Sequence, residues 1–163
     1  MSSRISKKHM KETQIRLAVP ADCEQLSHLL EALWPHSGAQ EHARELVQFL
    51  ARKQYGTMPM AIFVAEVADG MLAGFLQVGL RSHADGCDPR LPVGFVEGWF
   101  VSESRRRRGI GARLLAASED WARSQGCTEM ASDTWIDHAV SQRVHEALKF
   151  EMVDRCVHYR KVL

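Results

Sequence analysis

A single α/β domain, with a mixed central sheet and one parallel crossover, is predicted by three observations. Val93 to Thr134 reads as strand, polar turn, glycine loop, amphipathic helix and strand, the form of a βαβ unit. Strand-like and helix-like segments are interleaved along the rest of the chain. The length of 163 residues, 45% of them apolar and 25% charged, suits one soluble domain with a core of its own.

The elements follow in order. Residues 1–12 open polar and basic with no apolar core, so they are read as a disordered or vector-derived extension and not as a secretory signal. The domain is placed at 13–163. Gln14 to Ala18 alternates as a first strand does. Pro20 and Asp22 suit a helix start, and Leu26, Leu29, Leu30 and Leu33 give that helix one apolar face up to Trp34. Pro35 to Gly38 break it. A second helix is expected from Gln40 to Gln54, with Ala43, Leu46, Val47 and Leu50 on its buried face. Ala61 to Val67 is a strand, Asp69-Gly70 a hairpin turn and Met71 to Leu80 the partner strand. Arg81 to Pro92 is polar and irregular, a loop of functional length. After the central unit, Ile136 to Leu148 is helical, and Glu151 to Lys161 reads as one or two closing strands.

Bulk properties narrow the function. The net charge of +1 makes no global case for nucleic acid or an anionic membrane, and no apolar run approaches a membrane span. Cys23, Cys87, Cys127 and Cys156 form no C-x-x-C pair, which argues against a zinc site or a disulfide scaffold. Reduced thiols in a cytoplasm, and no metal, are the expectation. A binding module using Arg105 to Arg108 on nucleic acid is the rival from another class. The acidic residues flanking the central unit speak against it.

Arg106-Arg107-Arg108-Gly109-Ile110-Gly111 opens a helix directly after a strand. A helix start presents unpaired N–H groups and the positive end of the helix dipole, and small residues let a phosphate approach them. The motif lacks the Gly-Lys-Ser/Thr ending of a Walker A loop and the third glycine of a Rossmann fingerprint. Arg106, Gly109 and Gly111, in the form R-x-x-G-x-G after Phe100-Val101, resemble the acetyl-coenzyme A loop of the GNAT superfamily of N-acetyltransferases. LWP (Leu33 to Pro35), GCD (Gly86 to Asp88), VEGWFV (Val96 to Val101), EMASDT (Glu129 to Thr134), SQRVHEAL (Ser141 to Leu148) and HYRK (His158 to Lys161) are similar to one branch, the aminoglycoside 6′-N-acetyltransferases. The resemblance runs from about Ile15 to the C-terminus.

This resemblance implies the GNAT fold, with a parallel strand pair splayed around acetyl-CoA. It implies that the backbone of Trp99, Phe100 and Val101 holds the pantetheine arm. Arg106, Arg107, Arg108, Gly109, Ile110, Gly111 and Ala112 would hold the pyrophosphate, with His138 at a further coenzyme A contact where the superfamily has Asn. It further implies an aminoglycoside substrate acetylated on its 6′-amine by direct attack, and a homodimer. The same-class alternative is a GNAT enzyme acting on a polyamine, another small amine or a protein amino group.

An alkylammonium with a pKa near ~10 must lose a proton before it attacks a thioester. Glu97 is the candidate acceptor. Period-2 alternation puts it on a face with Val93, Phe95, Trp99 and Val101, where it needs a partner. A structural salt bridge with a nearby arginine is the alternative, and the resemblance puts Glu97 beside the reacting amine. Asp133 is either a cap for the next helix or, as the resemblance implies, an amine ligand. Trp34 is either core or part of the sugar-facing wall, and Asp88 is a candidate on the acidic rim. By spacing, His145 takes the place of the tyrosine that protonates the departing thiolate in many GNAT enzymes, and Tyr159 is the alternative donor. Lys149 replaces a helix-ending glycine, so either it bears a left-handed conformation or the helix ends differently.

Overall fold

The computed structural model describes residues 13–52, 54–55 and 57–163; the expectation for residues 1–12 lies outside them. In chain order it runs β1 (Gln14–Leu17), α1 (Cys23–Leu33), α2 (Ala39–Arg52), β2 (Gln54–Tyr55), β3 (Met58–Glu66), β4 (Leu72–Arg81), β5 (Val93–Val101), α3 (Ile110–Ser124), β6 (Met130–Ser132) and α4 (Ala139–Ala147). The strands form one sheet in the order β1-β3-β4-β5-β6, with the short β2 on β3. Every pairing is antiparallel except β5 with β6. That exception follows from the connections: a tight turn at Ala68–Gly70, with Gly70 at φ +75°, returns the chain antiparallel, whereas α3 carries it across to a parallel neighbour.

Both faces of the sheet are covered. Leu26, Leu30, Leu46 and Phe49 of α1 and α2 pack on Ile62, Val64 and Phe75. On the other side, Ile110, Leu114 and Leu115 of α3 pack on Leu76, Val78 and Val96. Burial on two sides explains why β4 reads as a nearly unbroken apolar run. Phe75, Leu26, Leu76 and Leu114 are among the largest fully buried side chains, each stabilising the fold by roughly 1.5–3 kcal/mol. The entry to α1 is fastened by ions. Asp22, buried, accepts two hydrogen bonds from Arg16 at 2.7 and 2.8 Å and one from the Val19 N–H at 2.8 Å. Arg16 also donates to Glu66 at 2.6 Å. These donors hold the Asp22 carboxyl below the usual carboxylate range.

Three expectations are corrected. The second strand of the crossover is only Met130–Ser132, because it soon leaves β5. The last helix starts at Ala139 and not at Ile136, since a turn bonding the His138 N–H to the Trp135 carbonyl precedes it. The closing strands are absent: no described residue beyond α4 is in a strand, and Glu151 to Leu163 are all exposed. Alternation gave those residues strand character, but a strand needs a neighbour, and none of the described strands lies beside them.

Candidate active site

Two irregularities in β5 create the site. Its pairing with β6 runs Gly94–Met130, Phe95–Ala131, Val96–Ser132 and then stops, while β5 continues to Val101. At that level the register with β4 also slips. Val96 pairs with Val78 and Gly98 with Gln77, leaving Glu97 as the extra residue of a β-bulge. The bulge reverses the facing of everything after it. Trp99 and Val101 pack on the α3 side, as Val96 does, whereas Phe100 joins the core under α1 and α2. Glu97 turns to the α1/α2 side. It therefore does not share a face with Trp99 and Val101, as strict alternation requires.

On that side is a cavity of about 540 Å³ lined by Trp34, His42, Glu45, Gln77, Arg81 and Glu97, among others. Trp34 closes the end of α1, and its indole lies over Gly98, where an added Cβ would come within 2.5 Å of the ring. Glycine at 98 is thus what seats the tryptophan. Buried His42 backs it, with Nε2 at 3.3 Å from the Trp34 carbonyl oxygen. Glu97 is held by Arg81, which donates from Nε to Oε1 at 3.0 Å and from Nη2 to Oε2 at 2.7 Å. The salt bridge with a nearby arginine is real, yet the carboxylate still faces the cavity.

The other two carboxylates are placed differently. Asp88 is tied to Arg90 at 2.6 and 2.9 Å, which keeps its carboxyl below the usual range, and its N–H binds Glu129 at 2.7 Å. It is absent from the residues lining the cavity. Asp133 is exposed just past the last β6 pair, as Glu97 is on β5. The N-cap of α4 is His138, also exposed, so capping is not the task of Asp133.

The opposite face carries the glycine turn. Arg106 is extended and donates from Nε to the Val101 carbonyl at 2.9 Å, with its guanidinium 5.7 Å from the Phe100 ring. Arg107 at φ +60° and Gly109 at φ +75° are left-handed, and α3 begins at Ile110 without a side-chain cap. The first helical bond is from the Arg113 N–H to the Gly109 carbonyl, so the preceding N–H groups have no intrahelical acceptor. An added Cβ at Gly109 would meet nothing within 4 Å, which leaves open space over those N–H groups. The side chain of Ile110 is buried, so only its backbone is available, and the side chains of Arg107, Arg108 and Ala112 face solvent. At Gly111 a Cβ would lie 3.3 Å from Trp99, so the helix start sits directly against β5.

His145 comes up to the same wall, edge-on to Trp99 at 5.9 Å and to Phe150 at 5.3 Å between ring centres. Its Nδ1 is 2.8 Å from the Ser141 carbonyl and its Nε2 2.9 Å from Ser132 Oγ. A carbonyl only accepts, so Nδ1 carries the proton, and Nε2 of the neutral ring accepts from Ser132. Tyr159 is 92% exposed on the segment after α4 and is not brought to this wall. Sequence reasoning passed over Arg81, His42 and Ser132; the hairpin register that sets Arg81 opposite Val93 was the one available signal, for Arg81 alone.

A left-handed turn with unpaired N–H groups, arginines at its rim and a strand with one free edge beside it fits an anionic pyrophosphate followed by an extended arm. The profile of the acetyltransferase (GNAT) family matches residues 23–150. The chain belongs to the GNAT family. Among its relatives, the aminoglycoside N(6′)-acetyltransferase type 1 of Serratia marcescens is 41% identical over 83% of this chain and 89% of its own. The enzyme of that name from Stenotrophomonas maltophilia is 38% identical over 91% and 93%. AAC(6′)-Iy in complex with the bisubstrate analogue CoA-S-monomethyl-acetylneamine superposes with a TM-score of 0.83 at 36% identity, covering 94% of this chain and all of that one. The same enzyme with CoA gives 0.84. As a GNAT enzyme, the chain is an acetyl-CoA-dependent N-acetyltransferase. Among its described residues no group of His, Cys, Asp and Glu could hold a metal ion, and no helix is long and apolar enough to cross a membrane.

Proposed function

We propose that this GNAT enzyme is an aminoglycoside 6′-N-acetyltransferase, moving an acetyl group from acetyl-CoA to the 6′-amine of an aminoglycoside antibiotic and so conferring resistance. The observation that carries the reading is the opening between β5 and β6, with a carboxylate-bearing cavity on one face of the sheet and an anion-binding turn on the other. Two substrates of opposite charge would meet through it.

Acetyl-CoA supplies the acetyl group activated as a thioester. The N–H groups from Arg107 to Ala112 hold its pyrophosphate, Arg106 and Arg108 add charge at the rim, and His138 is a further contact at the start of α4. The backbone of Trp99 to Val101 binds the pantetheine arm, and one of its N–H groups stabilises negative charge developing on the carbonyl oxygen. Trp34 and Asp133 orient the amino sugar. Glu97 accepts the proton of the attacking amine, directly or through water. Of the two donor candidates for the thiolate, His145 stands beside Trp99 and donates only as the imidazolium, while Tyr159 lies away from that wall. Asp88, neutralised by Arg90, has no part in this scheme.

The same proposal includes a homodimer in the cytoplasm. The four cysteines are free thiols, in keeping with a reducing compartment. Met152, Val153, Val157, Tyr159, Val162 and Leu163 project from the C-terminal segment with more than half of their surface exposed. Trp135, Ile136 and Val140 do the same at the start of α4. A second copy would cover such a patch.

Release of coenzyme A thiol tests the reading. A 6′-amino aminoglycoside should be acetylated and its 6′-hydroxyl counterpart should not; equal rates would overturn the 6′ assignment. Preference for a polyamine or a protein amino group would favour the alternative within the family. Glu97→Gln should lower kcat by about 10²-fold or more while leaving coenzyme A affinity in place.

A further inference from the structure

We infer that Arg81 is a tethered competitor for the substrate: in the free enzyme its guanidinium occupies the cation position at Glu97, and the substrate ammonium displaces it. The inference rests on the reading of Glu97 as the residue that receives the amine. Arg81 is the last residue of β4, opposite Val93. Its side chain runs back along the sheet over Phe95, with the guanidinium carbon 3.3 Å from the ring centre, and ends in the two-pronged contact with Glu97. Gly79 pairs with Phe95 beneath this contact, and a Cβ there would be in ordinary contact with Glu97 Oε1 at 3.4 Å.

The pair is built to open. Arg81 keeps 42% of its side-chain surface exposed and Glu97 25%, and both line the cavity. Ion pairs with this much water access contribute little, so the exchange of one cation for another on Glu97 is nearly balanced. Withdrawing Arg81 leaves its charge in solvent, while a polycation that enters gains both Glu97 and Glu45. Until that happens, Arg81 offsets one of the two cavity carboxylates and presents a like charge to the incoming substrate. It also keeps Glu97 from collapsing onto another partner. Arg81 would therefore set substrate affinity, and with it the discrimination against weakly charged amines.

The test is kinetic, using the full chain, acetyl-CoA and a 6′-amino aminoglycoside such as neamine. Arg81→Met retains the stem over Phe95 and removes the fork. The expected result is a KM for the aminoglycoside lowered about three- to tenfold, with the KM for acetyl-CoA unmoved. A structural role alone does not increase affinity, so a raised aminoglycoside KM or one that is unchanged overturns the inference. Arg81→Lys, with the charge but not the fork, should fall between wild type and Arg81→Met, and it serves if the methionine variant does not fold. Glu97→Gln separates the two levels. If Glu97→Gln alters neither kcat nor aminoglycoside KM, the reading of Glu97 itself fails. If it cripples turnover and Arg81→Met still weakens binding, only the role of Arg81 fails. In the double variant the affinity gained by Arg81→Met should vanish.

Discussion

Gly109 shows how much a single residue can decide. It stands at φ +75° with nothing near its missing side chain, at the point where the first N–H groups of α3 have no intrahelical acceptor. A β-branched residue there would be strained by about 1–2 kcal/mol and would fill the approach. Gly109→Val is therefore expected to keep the fold by circular dichroism and to lose coenzyme A binding by titration calorimetry. Retained binding would remove the turn from the cofactor site. This residue was legible in the sequence because its signal is local: glycine, arginines and a strand in front. Arg81 was not, because its meaning depends on a pairing with the next strand, and Glu97 was legible in identity but not in its neighbours. One extra residue in β5 turned Trp99 and Val101 away from the face that Glu97 shares with Phe95, and no alternation pattern carries that information.

At the level of elements, the end of α4 offers the plainest test. The Phe150 N–H bonds back to the His145 carbonyl at 3.0 Å and the Lys149 N–H to the Glu146 carbonyl at 3.1 Å, the two bonds of a Schellman ending. Lys149 takes the left-handed position at φ +73°. Of the two possibilities posed by that lysine, it is the strained one that holds. Lys149→Gly should then stabilise the protein by roughly 1 kcal/mol, visible as a Tm higher by about 2–4 °C, with unchanged placement of His145. α1, α3 and the central strands were readable because each buries a regular stripe, whereas the face of α2 was misjudged: Val47 is exposed and Phe49 buried. The ends failed: the second strand of the crossover is shortened where β6 leaves β5, a separation that makes room for a ligand and leaves no trace in residue pattern.

For the whole molecule, the exposed C-terminal segment matters most. Its apolar residues read as strand, and within one chain they have no strand beside them. Alternation reports strand character, while pairing depends on a neighbour that no pattern within the segment specifies. Removal of residues 151–163 is expected to convert a dimer to a monomer in sedimentation velocity, while the rest of the domain keeps its fold. A truncated protein that remains dimeric would dismiss this segment as the interface, and a full-length protein that is already monomeric would dismiss the homodimer.

The bulge at Glu97 also bears on how this gene can vary. Val96 pairs with Val78 and Gly98 with Gln77, so Glu97 is the residue here that the ladder does not count. Loss of its codon would close the strand into regular pairing and leave Trp99, Phe100 and Val101 facing as they do now. The sheet would keep its phase while the carboxylate vanished. Gain or loss of this one residue is thus a change registered in the cavity and not in the core.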